Sequence, residues 1–302
     1  MRPSGGRRLR HALGMAALVT GLLACLARLA GDRSVAPAIL IYATPWLVSV
    51  GLATATLILA RKPWRLGGLV VLAVGLLGGL RSWRSAAPPS VPGRSFTVAV
   101  WNAGRTLAER PEAWQFEADL VAVVESGSFS AEQWQRFVAA SPGHRWTRLD
   151  GGTLLGTRGR VLQTEDFGLH DRYRCHRATI GRGRGGPLRV VVVDIRSQPW
   201  RSREQAIRTA LERAGEGPAL VMGDFNTPPE SRWFDDFAGG YTLGNDAQSQ
   251  GFVETWPWGC PLLALDQVWL SPGLVAVDAR QQARGSDHRL VEITVVEPGA
   301  GD

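Results

Sequence analysis

The chain is 302 residues long and carries 34 Lys and Arg against 27 Asp and Glu, a formal net charge of +7. That excess sits in residues 1–94, with 12 basic residues and one acidic residue, while the rest holds 22 basic against 26 acidic, a balance of −4. A mildly acidic main body lacks the broad basic footprint of a non-specific DNA binder, and three cysteines with no CxxC or Cys/His zinc spacing exclude a zinc-finger site.

Residues 11–27 are apolar apart from His11 and Thr20, residues 35–60 contain no charge, and residues 66–80 read LGGLVVLAVGLLGGL. About 20 apolar residues cross a bilayer, and Trp64 and Trp83 extend the third segment with interfacial side chains. A cleavable signal peptide would explain only the first segment. The pattern predicts a membrane anchor over 1–85 with three transmembrane helices, so the lipid bilayer is an expected partner and the protein is multi-pass. Seven basic residues (Arg2, Arg7, Arg8, Arg10, Arg61, Lys62, Arg65) then lie on the N-terminal side and five (Arg28, Arg33, Arg81, Arg84, Arg94) on the other. The positive-inside rule favours a cytoplasmic N-terminus and an extracytoplasmic main domain; one re-entrant segment would reverse this. Pro88, Pro89 and Pro92 mark a stiff linker over 86–94, and the main domain follows over 95–302.

Within that domain, polar residues recur where apolar runs end. FTVAVWN alternates and delivers Asn102. Leu120–Val124 ends in Glu125, which is costly to bury unpaired and reads equally as an acid near the start of a helix through 132–137, capped by Ser126 or Ser128. Leu188–Val193 runs into Asp194-Ile195-Arg196-Ser197, followed by WRSREQAIR with Arg201 and Arg203; a solvated helix face is the simpler reading for Arg203. The arginine-rich stretch 172–189 reads as a hairpin with a glycine turn. Leu220–Met222 forms a buried strand that leaves through Gly223 into Asp224-Phe225-Asn226-Thr227-Pro228. Alternation points Asp224 and Asn226 one way and Phe225 into packing, although both polar residues also suit a simple turn. Asp266 interrupts the run 263–270, as a site residue or as an edge-strand charge. Asp287 and His288 precede the last alternating strand, 290–296. Cys175 and Cys260 would pair only in an oxidising compartment.

GDFN at 223–226, an aspartate-bearing LDQVW strand at 265–269 and Ser286-Asp287-His288, in this order, resemble the endonuclease/exonuclease/phosphatase superfamily over about residues 95–297. That resemblance implies an α/β fold of the α+β type, a four-layer α/β/β/α sandwich of two packed mixed sheets. It also implies hydrolysis of a phosphodiester or phosphomonoester by in-line attack of an activated water, assisted by Mg²⁺ or by Mn²⁺ in its place. Glu125 resembles the metal-ligating glutamate, with Asn102 and Asp287 beside the metal. Asp224 resembles the aspartate that orients or deprotonates water, Asn226 its companion at a phosphoryl oxygen, and His288 the phosphate-contacting histidine, held by Asp266.

The chain departs from the family pattern at Asp194, where nuclease and sphingomyelinase branches carry a phosphate-contacting histidine. An anion repels phosphate, so Asp194 is expected to join the metal site, to yield the phosphate contact to Arg196 or Arg201, or to impair turnover. The reading is a membrane-anchored metal-dependent phosphoesterase acting on a lipid headgroup, a nucleic acid or a small ester. Its rival is a membrane-tethered binding or scaffold module that has lost turnover.

Overall fold

The computed structural model describes residues 5–299 except 86–88, 168–172, 183–185, 199 and 258. Part of the expected proline linker, Pro88 included, lies outside them. The chain divides into two compact units, residues 1–83 with 198–202 and residues 84–197 with 203–302.

The first unit contains α1 (Gly5–Ala30), α2 (Val35–Ala43), α3 (Trp46–Leu59) and α4 (Arg65–Ser82). Residues 6–30 and 62–82 are helices long and apolar enough to cross a membrane. The uncharged run 35–60 is not one helix, as expected, but a pair bent by 77°. Pro45 is the cause, since proline has no N–H and its ring excludes the helical conformation before it. The carbonyl of Thr44 left at the break accepts from Ser49 Oγ at 3.1 Å and from the Arg28 guanidinium of α1. Glycines bring the helices close. Gly68, Gly75 and Gly79 of α4 face Thr56, Val50 and Trp46, so α3 and α4 run antiparallel. Gly67 and Val71 of α4 meet Leu18 and Gly21, so α1 and α4 run parallel.

In the second unit the strands of the two main sheets are β1 (Gly93–Asn102), β2 (Leu120–Val124), β3 (Arg145–Leu149), β4 (Thr153–Thr157), β5 (Arg160–Asp166), β6 (Tyr173–Gly181), β7 (Leu188–Ile195), β8 (Ala219–Asp224), β9 (Thr242–Leu243), β10 (Asp266–Leu270), β11 (Val275–Ala283) and β12 (Arg289–Pro298). They form two six-stranded sheets in the orders β11-β12-β1-β2-β4-β3 and β9-β10-β8-β7-β6-β5. The central pairs, β1 with β2 and β7 with β8, are parallel; the other neighbours are antiparallel.

Alternation builds three apolar layers from these strands. Val98, Val100, Leu120 and Ala122 meet Val190, Val192, Leu220, Met222 and Val268 between the sheets. The opposite faces bury Trp101, Val121 and Val123 under Phe137 of α5 (Ala131–Ala140), and Val191, Val193 and Val221 under Ile207 and Ala210 of α6 (Glu204–Ala214). Each such aliphatic side chain contributes roughly 1.5–3 kcal/mol on leaving water. The result is a four-layer α/β/β/α sandwich. The cap of α5 is Ser130, whose hydroxyl accepts from Gln133 N while Gln133 caps the Ser130 N–H, so neither Ser126 nor Ser128 serves. Glu125 is therefore outside the first turn of that helix. Gly223, at φ 147°, lets β8 pass close to β7, since a Cβ there would run into the Val193 carbonyl.

Candidate active site

Topology gathers the polar strand ends. The central strands of each sheet end together, and their antiparallel neighbours start at that end. Asn102 closes β1, Glu125 follows β2, and Asp194 and Asp224 sit in register across β7 and β8. Asp266 opens β10 opposite Asp224, and Asp287-His288 directly precede β12. Asn102, Asp194, Asp224 and Asp266 share strand parity with Val100, Val192, Met222 and Val268, so they prolong the inner face beyond its last apolar residue. Among the described residues, the non-glycine residues with positive φ are Arg105 (64°), Glu125 (48°) and Asn226 (47°), all just past central strand ends. Such backbone is uncommon and clusters at sites that need a particular geometry.

Hydrogen bonds join the two sheets at this mouth. Asn102 Nδ2 donates to Asp224 Oδ2 at 2.8 Å, and Asn226 donates to the same carboxylate from Nδ2 at 2.9 Å and from its backbone N to Oδ1 at 2.8 Å. Asn226 Nδ2 also reaches the Ile195 carbonyl at 2.7 Å. His288 Nδ1 lies 2.8 Å from Asp266 Oδ2, while Nε2 stands 3.9 Å from Asp224 Oδ2, beyond hydrogen-bond reach. Ser286 Oγ donates to the Asn102 carbonyl at 2.7 Å, and Trp256 Nε1 to Asp287 Oδ2 at 2.9 Å. Glu125 Oε2 meets Arg105 Nε at 3.2 Å. His288 is 6% exposed and Asp266 fully buried. Neither is a surface group, and β10 is an inner strand, so Asp266 does not guard an edge.

Burial and crowding set the charges. Asp224 is pushed up to about 8, first by burial and then by Asp266 and Asp194, against the pull of His288 and Asn102. Burial would lower the His288 pKa, but Asp266 and Asp224 outweigh it and raise the imidazole to about 10. Asp194 is raised to about 6 by burial and by Glu125, with Arg174, Arg105 and Arg196 opposing. Here a protonated imidazole faces a cluster of acids.

Arg196 is exposed just beyond β7, and its charge bears on Asp194; Arg201 falls in the segment 198–202 that groups with the first unit. Arg203 is buried rather than on a solvated face. Cys175 and Cys260 are both free, one buried and one exposed. Two arginines escaped the sequence reading. Arg105 follows Asn102-Ala103-Gly104, a turn that itself signalled it; Arg174 stands opposite Asp194 in the β6–β7 register, which no local motif reveals.

The donors suit a hard divalent cation. One ligand atom each from Asp224, Asp266 and His288 lies within 4.8 Å of the others, and the buried Asp266 Oδ1 has no hydrogen-bond partner. Yet His288 commits Nδ1 to Asp266 and holds its proton, and imidazolium is no ligand. The carboxylate of Glu125, 29% exposed, offers with Asp287 and the Asn102 amide the oxygen donors that Mg²⁺ or Mn²⁺ takes.

The fold and mouth define a four-layer sandwich with an acid, amide and imidazole cluster at one end. The model of the Endonuclease/Exonuclease/phosphatase family matches residues 58–288, and the chain belongs to that family. No curated protein matches it. Among solved structures it is similar to an endonuclease/exonuclease/phosphatase family protein from Bacteroides thetaiotaomicron, with 16% identity and TM-score 0.51 over 68% of this chain and 98% of the other. It is also similar to the mannosyl-6-phosphatase of Bacteroides thetaiotaomicron, with 16% identity and TM-score 0.53 over 67% and 99%. A third is ANGEL2, a 2′,3′-cyclic phosphatase, with 11% identity and TM-score 0.54 over 68% and 96%.

Proposed function

We propose that the protein is a membrane-anchored, metal-dependent phosphoesterase. The observation that carries this reading is the His288–Asp266 pair facing an Asp224 carboxyl that three donors from Asn102 and Asn226 hold still. Asp224 orients and deprotonates the attacking water, and Asn226 fixes it. His288 Nε2 donates to a phosphoryl oxygen, with Asp266 holding the ring by Nδ1. Glu125, Asp287 and Asn102 would hold the cation, which when bound supplies charge neutralisation at the phosphate. Phosphatases among the structural relatives support ester hydrolysis, and tethering beside a bilayer favours a lipid headgroup or small ester over nucleic acid. The test is the full-length protein in detergent with Mg²⁺ or Mn²⁺, offered p-nitrophenyl phosphate, bis-p-nitrophenyl phosphate, sphingomyelin micelles and DNA. Metal-dependent turnover of one of these supports the reading; turnover of none with either metal points to a binding module.

The anchor reading rests on helix direction. If α1 and α4 both cross, their parallel course requires a return crossing between them, and α3 runs antiparallel to α4 along its length. Three crossings put the second unit opposite the N-terminus, and the arginine distribution makes that side extracytoplasmic. Cys260 is a natural reporter, being free and exposed. A membrane-impermeant maleimide should label it in intact cells, and a Cys260→Ser chain should not be labelled; labelling only after permeabilisation would reverse the topology.

A further inference from the structure

Arg174 occupies the register position opposite Asp194, with NH1 4.0 Å from Asp194 Oδ2. It shares strand parity with Ala178 and Ile180 of the inter-sheet core, so its stem starts inside the sandwich. Its side chain is nonetheless 41% exposed. From the other sheet the turn between β3 and β4 comes to meet it: Gly151 has φ 71°, and a Cβ there would run into the Arg174 guanidinium. That turn is fixed beside Glu125, because Ser126 N donates to the Gly152 carbonyl at 2.8 Å. Among the described residues Arg174 donates no hydrogen bond, and Asp194 is its ion-pair partner. A guanidinium has five N–H donors in a planar fork that matches a phosphate edge. Here the fork lies wedged between Asp194 and the Gly151 backbone, with donors to spare at the mouth. Arg105 and Arg196 bear on the same carboxylate against Glu125, so three guanidinium groups face Asp194 and Glu125 together.

Resting on the phosphoesterase reading, we propose that Arg174 binds the non-bridging phosphate oxygens of a dianionic phosphomonoester, with Asp194 as its positioning residue. The anion at 194 then serves phosphate binding indirectly, by holding a guanidinium at the rim. A charge-assisted contact of this kind is worth about tenfold to a hundredfold in binding. For the full-length protein in detergent, Arg174→Ala should raise KM for p-nitrophenyl phosphate and Ki for inorganic phosphate by about tenfold or more. It should change kcat little and shift bis-p-nitrophenyl phosphate kinetics less. Added guanidinium ion at millimolar level should restore part of the loss, as should Arg174→Lys. Asp194→Asn should raise the same KM by a smaller factor, with a melting temperature no lower than that of the wild type excluding misfolding. An active wild type whose KM and Ki are unmoved by both Arg174 variants overturns the assignment of Arg174. A wild type that turns over bis-p-nitrophenyl phosphate, sphingomyelin or DNA but not p-nitrophenyl phosphate overturns the monoester assignment, and one that turns over none of the four overturns the phosphoesterase reading instead.

Discussion

Both sheets place a parallel strand pair at their centre, β1 with β2 in one and β7 with β8 in the other, yet the side chains they deliver live in different surroundings. The β7–β8 half, with β10, contributes Asp194, Asp224 and Asp266, all buried. The β1–β2 half contributes Asn102, a neutral amide, and Glu125, whose carboxylate is part exposed and faces the exposed Arg105. Three acids packed inside one half cannot all ionise cheaply, and the raised pKa values of Asp194 and Asp224 are the result. The other half can meet a cation and solvent at little desolvation cost. Under the proposed function, the contrast divides proton handling among the buried acids from ion capture on the open side. His288 stands just before β12 of the open half and ties itself to Asp266 of the buried one, so it belongs to both.

Replacing Asp224 attacks the buried half directly and should have the largest effect. Asp224→Asn keeps the shape but removes the base, and kcat should fall by about 10²–10⁴-fold, with added metal giving no recovery. Asp266→Asn should come next, at about 10–100-fold in kcat, because His288 loses the anion that orients and charges it. The basic limb of the pH–rate profile should move down with it. Glu125→Gln on the open side should instead raise the Mg²⁺ concentration for half-maximal rate by about 10–100-fold and leave kcat at saturating metal nearly intact. If Glu125→Gln cost as much kcat at saturating metal as Asp224→Asn, the two halves would not differ in function.

Much of this division was legible in residue order. The alternation in FTVAVWN and the exit from Leu220–Met222 through Gly223 put Asn102 and Asp224 at strand ends, and the structure finds them at one mouth. The capping box of α5 was equally readable, because Ser130 and Gln133 carry the Ser-x-x-Gln signature, and the cap lies there and not at Ser126 or Ser128. Arg174 was not legible, since its partner depends on how β6 pairs with β7, and residues 183–185 between them lie outside the described residues. The bend at Thr44 was signalled by Pro45 but masked by an unbroken uncharged run. Asn226 is of a residue type that tolerates left-handed backbone, but nothing in the composition foretells that Glu125 takes it. Tertiary hydrogen bonds hold those conformations, such as Asn226 Nδ2 to the Ile195 carbonyl.

The smallest and most diagnostic effect is on stability rather than rate. In the folded chain Asp194 and Asp224 hold protons up to about 6 and about 8, against 3.8 for an ordinary aspartate, and His288 holds its proton to about 10 against 6.5. Between pH 4 and 8 the folded state therefore binds more protons at the two aspartates than the unfolded chain does. Stability should fall as pH rises through that window. His288 has the same sign between 6.5 and 10, so the decline continues to about pH 10. In chelator, melting temperatures should descend from pH 5 through pH 7 to pH 9. Asp224→Asn has no proton to lose, so its descent should be shallower, and added Mg²⁺ should flatten the wild-type curve by compensating the carboxylates. Glu125→Gln removes one of the two causes that raise Asp194, so it should make the descent shallower only below about pH 6 and leave the part above it, set by Asp224 and His288, in place. A wild-type melting temperature that rises from pH 5 to 9 in chelator would mean that the buried acids ionise freely, and the electrostatic contrast between the two halves would not exist.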